Sequence, residues 1–314
     1  MMLLGWQAMD NKHETSKRLL DARTFQHQLA KLANTVALKV EREGVKIMKP
    51  QFTAADVTVL LRQSLSIYEL MCFVNADDTR KSGSWKPAYS AVILPLNRSM
   101  IDCLYNITTL LRFPPLRYAF RESGYRFALD GLKADEERYR GKRGWRAYIK
   151  KQRDLLRIGM SADGITLAEV ESAKMWPTLS SYLRVKQSAP LTPHQEFLKK
   201  LTFVFWQEYS AMTHAVFQGL MPSAVFYIPD KIPHELREQF DTIVVERMIA
   251  THLARNAAIL LCTLTELQAH FRFFDEARIN ERILSVWNAL LGTPEVRELY
   301  DARYEQLMKD RGIT

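Results

Sequence analysis

Two stretches of this sequence place polar side chains on helix faces that are otherwise apolar. Residues 95–111 read PLNRSMIDCLYNITTLL. Arg98 and Asp102 are four apart and share one face, which Asn106 and Thr109 continue. Leu96, Met100, Ile101, Leu104 and Leu110 fill the other faces. A helix apolar on most sides is largely buried, so its charges must pair or coordinate something. Either Arg98 is an anion-binding arm oriented by Asp102, or the two form a structural ion pair that fixes helix register. Residues 197–217 read FLKKLTFVFWQEYSAMTHAVF. Here Gln207, Ser210, His214 and Gln218 recur at three, four and four, a polar line down an apolar helix. His214 can move protons near neutral pH, and Ser210 can orient its ring or bind a phosphate oxygen. The structural alternative is a hydrogen-bonded core histidine. A Ser–His nucleophile is disfavoured, because no strand-to-helix elbow exposes the serine.

A third stretch has the chemistry of a polyanion site. Residues 138–157 read RYRGKRGWRAYIKKQRDLLR, with Arg146, Lys150, Arg153 and Arg157 at helical spacing and Arg143 just before them. Trp145, Ile149 and Leu156 line a second face, and Tyr139 and Tyr148 lie among the cations. Cations bind phosphates while aromatic rings stack on bases, so the stretch is expected to be a basic helix that holds RNA or another polyanion. The alternative is a solvated basic face. The net charge of +9 agrees with an anionic partner, and also with simple solubility.

The strings NRSMIDCLYN (97–106) and WQEYSAMTHAVF (206–217) resemble an Arg-Ser-x-x-acid helix followed by a Tyr-Ser-x-x-x-His helix. This pair is similar to that in poorly characterised bacterial helical proteins related to the HEPN superfamily. The resemblance covers about residues 55–270. It implies a helical bundle in which Arg98, Asp102, Ser210 and His214 converge. It further implies an RNA-directed protein, a metal-independent ribonuclease of a bacterial stress or phage-defence system; the alternative, of another functional class, takes the seams as buried polar pairs and the protein as a non-catalytic helical binding or regulatory module that docks an anionic ligand or acidic partner on the basic helix. Arg98 would bind the phosphate, Asp102 would orient it, His214 would be the acid–base group, and Ser210 would assist. Two departures stand. Asp102 occupies a position where Glu is usual, and HEPN ribonucleases carry Arg and His on one helix. Arg247 and His252 do share one helix at such a spacing and form a fallback pair.

These groups need helices to position them, and the composition supplies helices. Hydrophobic residues are 47% of 314, enough for a sizeable core, while Gly and Pro number only 12 each, too few for an all-β chain. The expected fold is all-α, a helical bundle with a mid-chain helical insertion. Residues 1–113 and 191–314 would build the core, and the more polar segment 114–190 would be mounted on it. Helices are expected over 14–43 (ending at Gly44), from a Thr53 cap boxed by Asp56 to Val74, and from Pro87 or Ala88 to Leu111, with Pro95 a kink or the true start. Others are expected over 116–131 (ending at Gly131), 135–157, twice within 161–187, and over 194–220, 234–273, 276–291 and from Pro294 onward. The apolar segment 221–228 is a candidate dimer or protein-partner interface.

Cys72, Cys103 and Cys262 have no metal or redox spacing, and read as small hydrophobes in a reducing, cytoplasmic compartment. No HExxH string, cysteine cluster or glycine-rich phosphate loop is present, so no metal and no cofactor are expected. The start lacks a signal-peptide pattern, and charges interrupt the apolar stretches 197–228 and 243–267, so no membrane span is expected.

Overall fold

The computed structural model describes residues 23–75, 93–184, 192–213, 242–271 and 277–310. Within them the chain is all-α, with no strand among the described residues. Helix α1 (Arg23–Lys39) runs on through a wide π turn, Val40–Gly44, to Ile47. Helices α2 (Phe52–Val74) and α3 (Leu96–Arg112) succeed it. Then come α4 (Leu116–Arg138), α5 (Trp145–Ala162) and two short helices, α6 (Leu167–Ser172) and α7 (Leu179–Arg184). Helix α8 (Pro193–Leu201) passes through a π turn, Thr202–Trp206, into α9 (Gln207–Thr213). The long α10 (Thr242–His270) and α11 (Ala277–Leu290) come next. Helix α12 (Pro294–Leu299), a π turn at Tyr300–Tyr304 and α13 (Glu305–Lys309) close the described chain.

The core forms around α10, which packs against α1, α2, α3, α11 and α12. Ala254, Ala257 and Ala258 are buried with Leu253, Leu260, Leu261, Leu264 and Leu267. Such apolar surface all round is what buries a helix on every side. The small alanines let neighbouring backbones approach closely. Trp287 of α11 is fully buried, donates Nε1–H to Thr265 Oγ1 at 3.0 Å, and stacks on Tyr304 at 5.1 Å. Helix α2 is, among the described residues, long and apolar enough to cross a membrane, yet its Val57, Leu61 and Met71 lie in this core.

Helices α4 and α5 form an antiparallel hairpin that departs from the core. Its own cluster is small: Met160, Ile165 and Val170, with Phe52, Tyr125 and Leu129 packed against them. Polar bonds secure its root. Buried Arg117 donates Nε–H to the Leu110 carbonyl at 2.9 Å and also bonds the Lys49 carbonyl. It thereby satisfies a carbonyl in the last turn of α3. Arg121 bridges Asp56 of α2 at 3.3 Å and Asp163 at the end of α5 at 3.2 Å. The Trp176 indole donates to Asn106 Oδ1 at 2.8 Å and pins the chain after α6 to α3.

Several expected boundaries are corrected. Gly44 does not end the first helix; it is buried inside the π turn, 3.4 Å from Ala54 where a Cβ would sit, so close packing explains the glycine. Gln51 rather than Thr53 precedes α2, without a side-chain cap, and Asp56 pairs with Arg121 instead of boxing a threonine. Pro95 marks the true start of α3. Gly131 lies inside α4, where a single glycine costs only about 1 kcal/mol. The chain turns at residues 139–144, where Gly141 and Gly144 take φ of +79° and +90°. The basic stretch 138–157 is therefore not one helix; it spans the end of α4, the turn and the start of α5.

Glu266 of α10 is fully enclosed between Arg112 of α3, at 3.0 Å, and Arg303, which holds both carboxylate oxygens. Glu266→Ala would strand Arg303, whose side chain is 9% exposed, without a counter-charge. Urea unfolding should show a loss of roughly 3–5 kcal/mol. A loss under 1 kcal/mol would mean that the carboxylate does not hold these helices together.

Candidate functional site

The first polar seam forms where α3 meets the α8–α9 segment. Arg98 Nε lies 3.9 Å from Asp102 Oδ2, and the guanidinium sits over the Trp206 ring at 5.1 Å from its centroid. Both charges keep some solvent access: the side chains are 20% and 40% exposed. Burial raises the Asp102 carboxyl, while Arg98 and the Trp206 indole pull it back. The π turn at 202–206 adds one residue to the helix and rotates the faces of α9 by about 100°. Trp206, at its end, meets Arg98. Ser210 is buried one turn further along α9, and Gln207 is exposed. The expected polar line thus divides between solvent and core. His214 and Gln218 lie outside the described residues, as does the segment 221–228.

A second, more deeply buried set surrounds His252 of α10. The Tyr209 hydroxyl lies 2.9 Å from His252 Nδ1, and Glu208 Oε1 is 3.8 Å from Nε2. Burial pushes the Tyr209 phenol up to about 12, so it stays protonated. The tautomer that suits both neighbours has Nδ1 accepting from Tyr209 and Nε2–H facing Glu208. Burial, with Arg255 beside it, pushes His252 down to about 4, against the opposing pull of Glu208 and Glu295. Arg255 is held by Glu208 at 2.7 Å and by Glu295 at 3.4 Å, and it covers the Phe205 ring. Asn256, one turn after His252, donates to Asn97 Oδ1 at 2.6 Å. His252 is only 4% exposed. A sealed, bonded and neutral imidazole has the environment of a structural group. The side chain of Arg247, its fallback partner, lies outside the described residues.

The basic stretch converges at the hairpin tip. Tyr139 ends α4 and Trp145 opens α5, and their rings stack at 3.8 Å with 8° between planes. Tyr148 meets Trp145 edge-on at 5.4 Å. Gly141 and Gly144 make the turn that brings the two rings together. Beside them is a groove of about 700 Å³ whose lining includes Lys133, Arg140, Lys142, Arg143 and Arg146. Glu136 and Glu137 also line it, but Glu136 is paired with Arg153 at 2.5 Å and Glu137 with Arg140 at 3.9 Å.

The expected cationic stripe is thereby divided. Arg143, Arg146 and Lys150 are exposed, with Arg143 and Arg146 on the groove. Arg153 is committed to Glu136, and Arg157 pairs with Asp154 at 3.8 Å further down α5. Arg140 and Lys142 join the tip, although helical spacing does not single them out as site residues. The signal for them is the pair of glycines, Gly141 and Gly144, which mark a turn rather than a helix at the residues around Arg140 and Lys142.

Among the described residues no three His, Cys, Asp or Glu side chains are grouped to hold a metal ion. No family model, curated protein or solved structure matches the chain.

The acid–base state of His252 has a measurable consequence. Its folded value, about 4, is below the ordinary 6.5, so between those pH values the unfolded chain binds more protons. The contribution is complete above pH 6.5 and is lost as pH falls towards 4. At pH 5 the loss should be about 2 kcal/mol. In His252→Gln, denaturant titrations at pH 7 and pH 5 should lack this share of the acid sensitivity. An unchanged pH dependence would show that His252 is not buried in its neutral form.

Proposed function

We propose that this is an RNA-directed protein that takes single-stranded RNA on the tip of the α4–α5 hairpin. The observation that carries this reading is the stacked Tyr139–Trp145 pair beside a groove lined by five cations and two carboxylates. Single strands are held by such a combination, because bases offer flat faces to aromatic rings while cations track the backbone. The Lys142 ammonium lies 5.3 Å over the Tyr139 ring. A base can replace this flexible side chain on the ring and leave the ammonium for a phosphate. The duplex has no unstacked base to offer, so it is bound through charge alone.

The reading predicts three results in anisotropy titrations with a labelled mixed-sequence RNA oligonucleotide. Trp145→Ala should weaken single-strand binding by about 1–3 kcal/mol. Arg143→Ala and Arg146→Ala should each reduce the salt slope by about 0.7. Duplex of the same length should bind more weakly and lose little on Trp145→Ala. Equal binding by wild type and Trp145→Ala would contradict the stacking role.

A second reading adds catalysis, with Arg98, Asp102, Ser210 and His214 cleaving the RNA without a metal, as in HEPN-type ribonucleases. The supporting observation is the solvent access of Arg98 and Asp102, which contrasts with the sealed His252. In this chemistry a ribose 2′-OH attacks the neighbouring phosphate, His214 moves the proton, and Arg98 stabilises the crowded phosphorane. With EDTA present, wild type should cleave a mixed RNA pool, and Arg98→Ala and His214→Ala should each lose at least about 100-fold in rate. Binding without cleavage would leave the protein as the non-catalytic module. Cleavage that survives both substitutions would refute the assignment of these residues.

A further inference from the structure

Helices α1 and α11 pack side by side in the core and leave a cleft of about 430 Å³ at their outer edge. His27 and Lys31, four apart on α1, form one wall. Arg282 of α11 forms the other. Gln28 and Ser285 add a hydrogen-bonding group from each side, and Leu32 and Val286, both buried, make an apolar floor. No carboxylate lines the cleft among the described residues. Nor does any carboxylate among them pair with Lys31 or Arg282, although most of the arginines in the core and hairpin root are paired.

We propose that this cleft binds a nucleoside monophosphate. Cations facing each other across a concave site, with no carboxylate among the described lining residues, suit a phosphoryl group. Arg282 offers a fork of donors, while Lys31 and His27 offer donors from the opposite wall. The cleft is too large for phosphate alone and falls within the range of small-molecule sites. Its floor of Leu32 and Val286 provides an apolar surface for the base, with Gln28 and Ser285 placed for ribose hydroxyls or a base edge. The site lies on helices α1 and α11, not on the α4–α5 hairpin, and does not depend on the RNA reading.

The test is calorimetric titration of the full chain with each of the four ribonucleoside monophosphates, the matching nucleosides and inorganic phosphate. At least one monophosphate should bind with one-to-one stoichiometry. Its nucleoside and inorganic phosphate should each bind at least about tenfold more weakly, since each lacks one half of the recognition. Arg282→Ala and Lys31→Ala, both on the surface, should each lower affinity about tenfold, as expected for a lost charge-assisted hydrogen bond. The double variant Arg143→Ala/Arg146→Ala should bind as wild type does. Four results would each overturn the proposal: no monophosphate binds; inorganic phosphate binds as tightly as the best monophosphate; affinity survives both cleft substitutions; or affinity is lost in the hairpin variant.

Discussion

Burying a polar group in a helix core costs free energy unless a neighbour bonds it, and the described part of α10, buried on nearly every side from Thr251 on, meets that constraint by bonding several of its polar groups to different helices. His252 takes Tyr209 from α9, Asn256 takes Asn97 from α3, and Glu266 takes Arg112 from α3 and Arg303 from the π turn at Tyr300–Tyr304. Thr265 accepts the indole proton of Trp287 from α11. Apolar packing alone tolerates sliding and rotation of helices. A buried charge or amide does not, because an unpaired one costs more than most packing errors. The polar groups of α10 therefore set the register of the helices around it.

That rigidity reaches the exterior through α3. Its first turn carries Asn97 and Arg98, the former bonded inward to α10 and the latter facing Trp206. Its later turns carry Asn106 and Leu110, which anchor Trp176 and Arg117 at the hairpin root. The hairpin is thus fixed at one end by Arg117 and the Asp56–Arg121–Asp163 bridge. At the other end it presents the stacked aromatic rings and the exposed cations Lys142, Arg143 and Arg146 to solvent. Along α5, Arg153 and Arg157 are paired with Glu136 and Asp154, whereas Lys142, Arg143 and Arg146 at the tip are exposed. On the proposed RNA reading, such a division suits an arm with a fixed root and an accessible tip.

Much of this is legible in the sequence because it is local. The i, i+4 pairing of Arg98 and Asp102 and the apolar helices of the core derive from spacing along one helix, and the cationic character of residues 138–157 from local composition. The bonds joining different helices do not. Nothing in periodicity links Tyr209 to His252, Glu208 to Arg255 or Asn97 to Asn256, so spacing alone does not separate the buried set around His252 from a catalytic pair. The π turns at 40–44 and 202–206 are equally hidden, since an extra residue in a helix leaves the pattern of apolar positions nearly intact. Glycine misleads in both directions. Gly44 and Gly131 sit inside helices because packing and low cost permit it, whereas Gly141 and Gly144 form the turn that assembles the tip.

If RNA is received at the stacked tip of the hairpin, binding must leave its mark there. Hydrogen exchange of the full chain, measured residue by residue with and without a single-stranded RNA oligonucleotide, examines this most directly. Added protection should centre on residues 139–146, with the core of α10 unchanged. Protection centred elsewhere, or none at saturating RNA, would contradict reception at the tip.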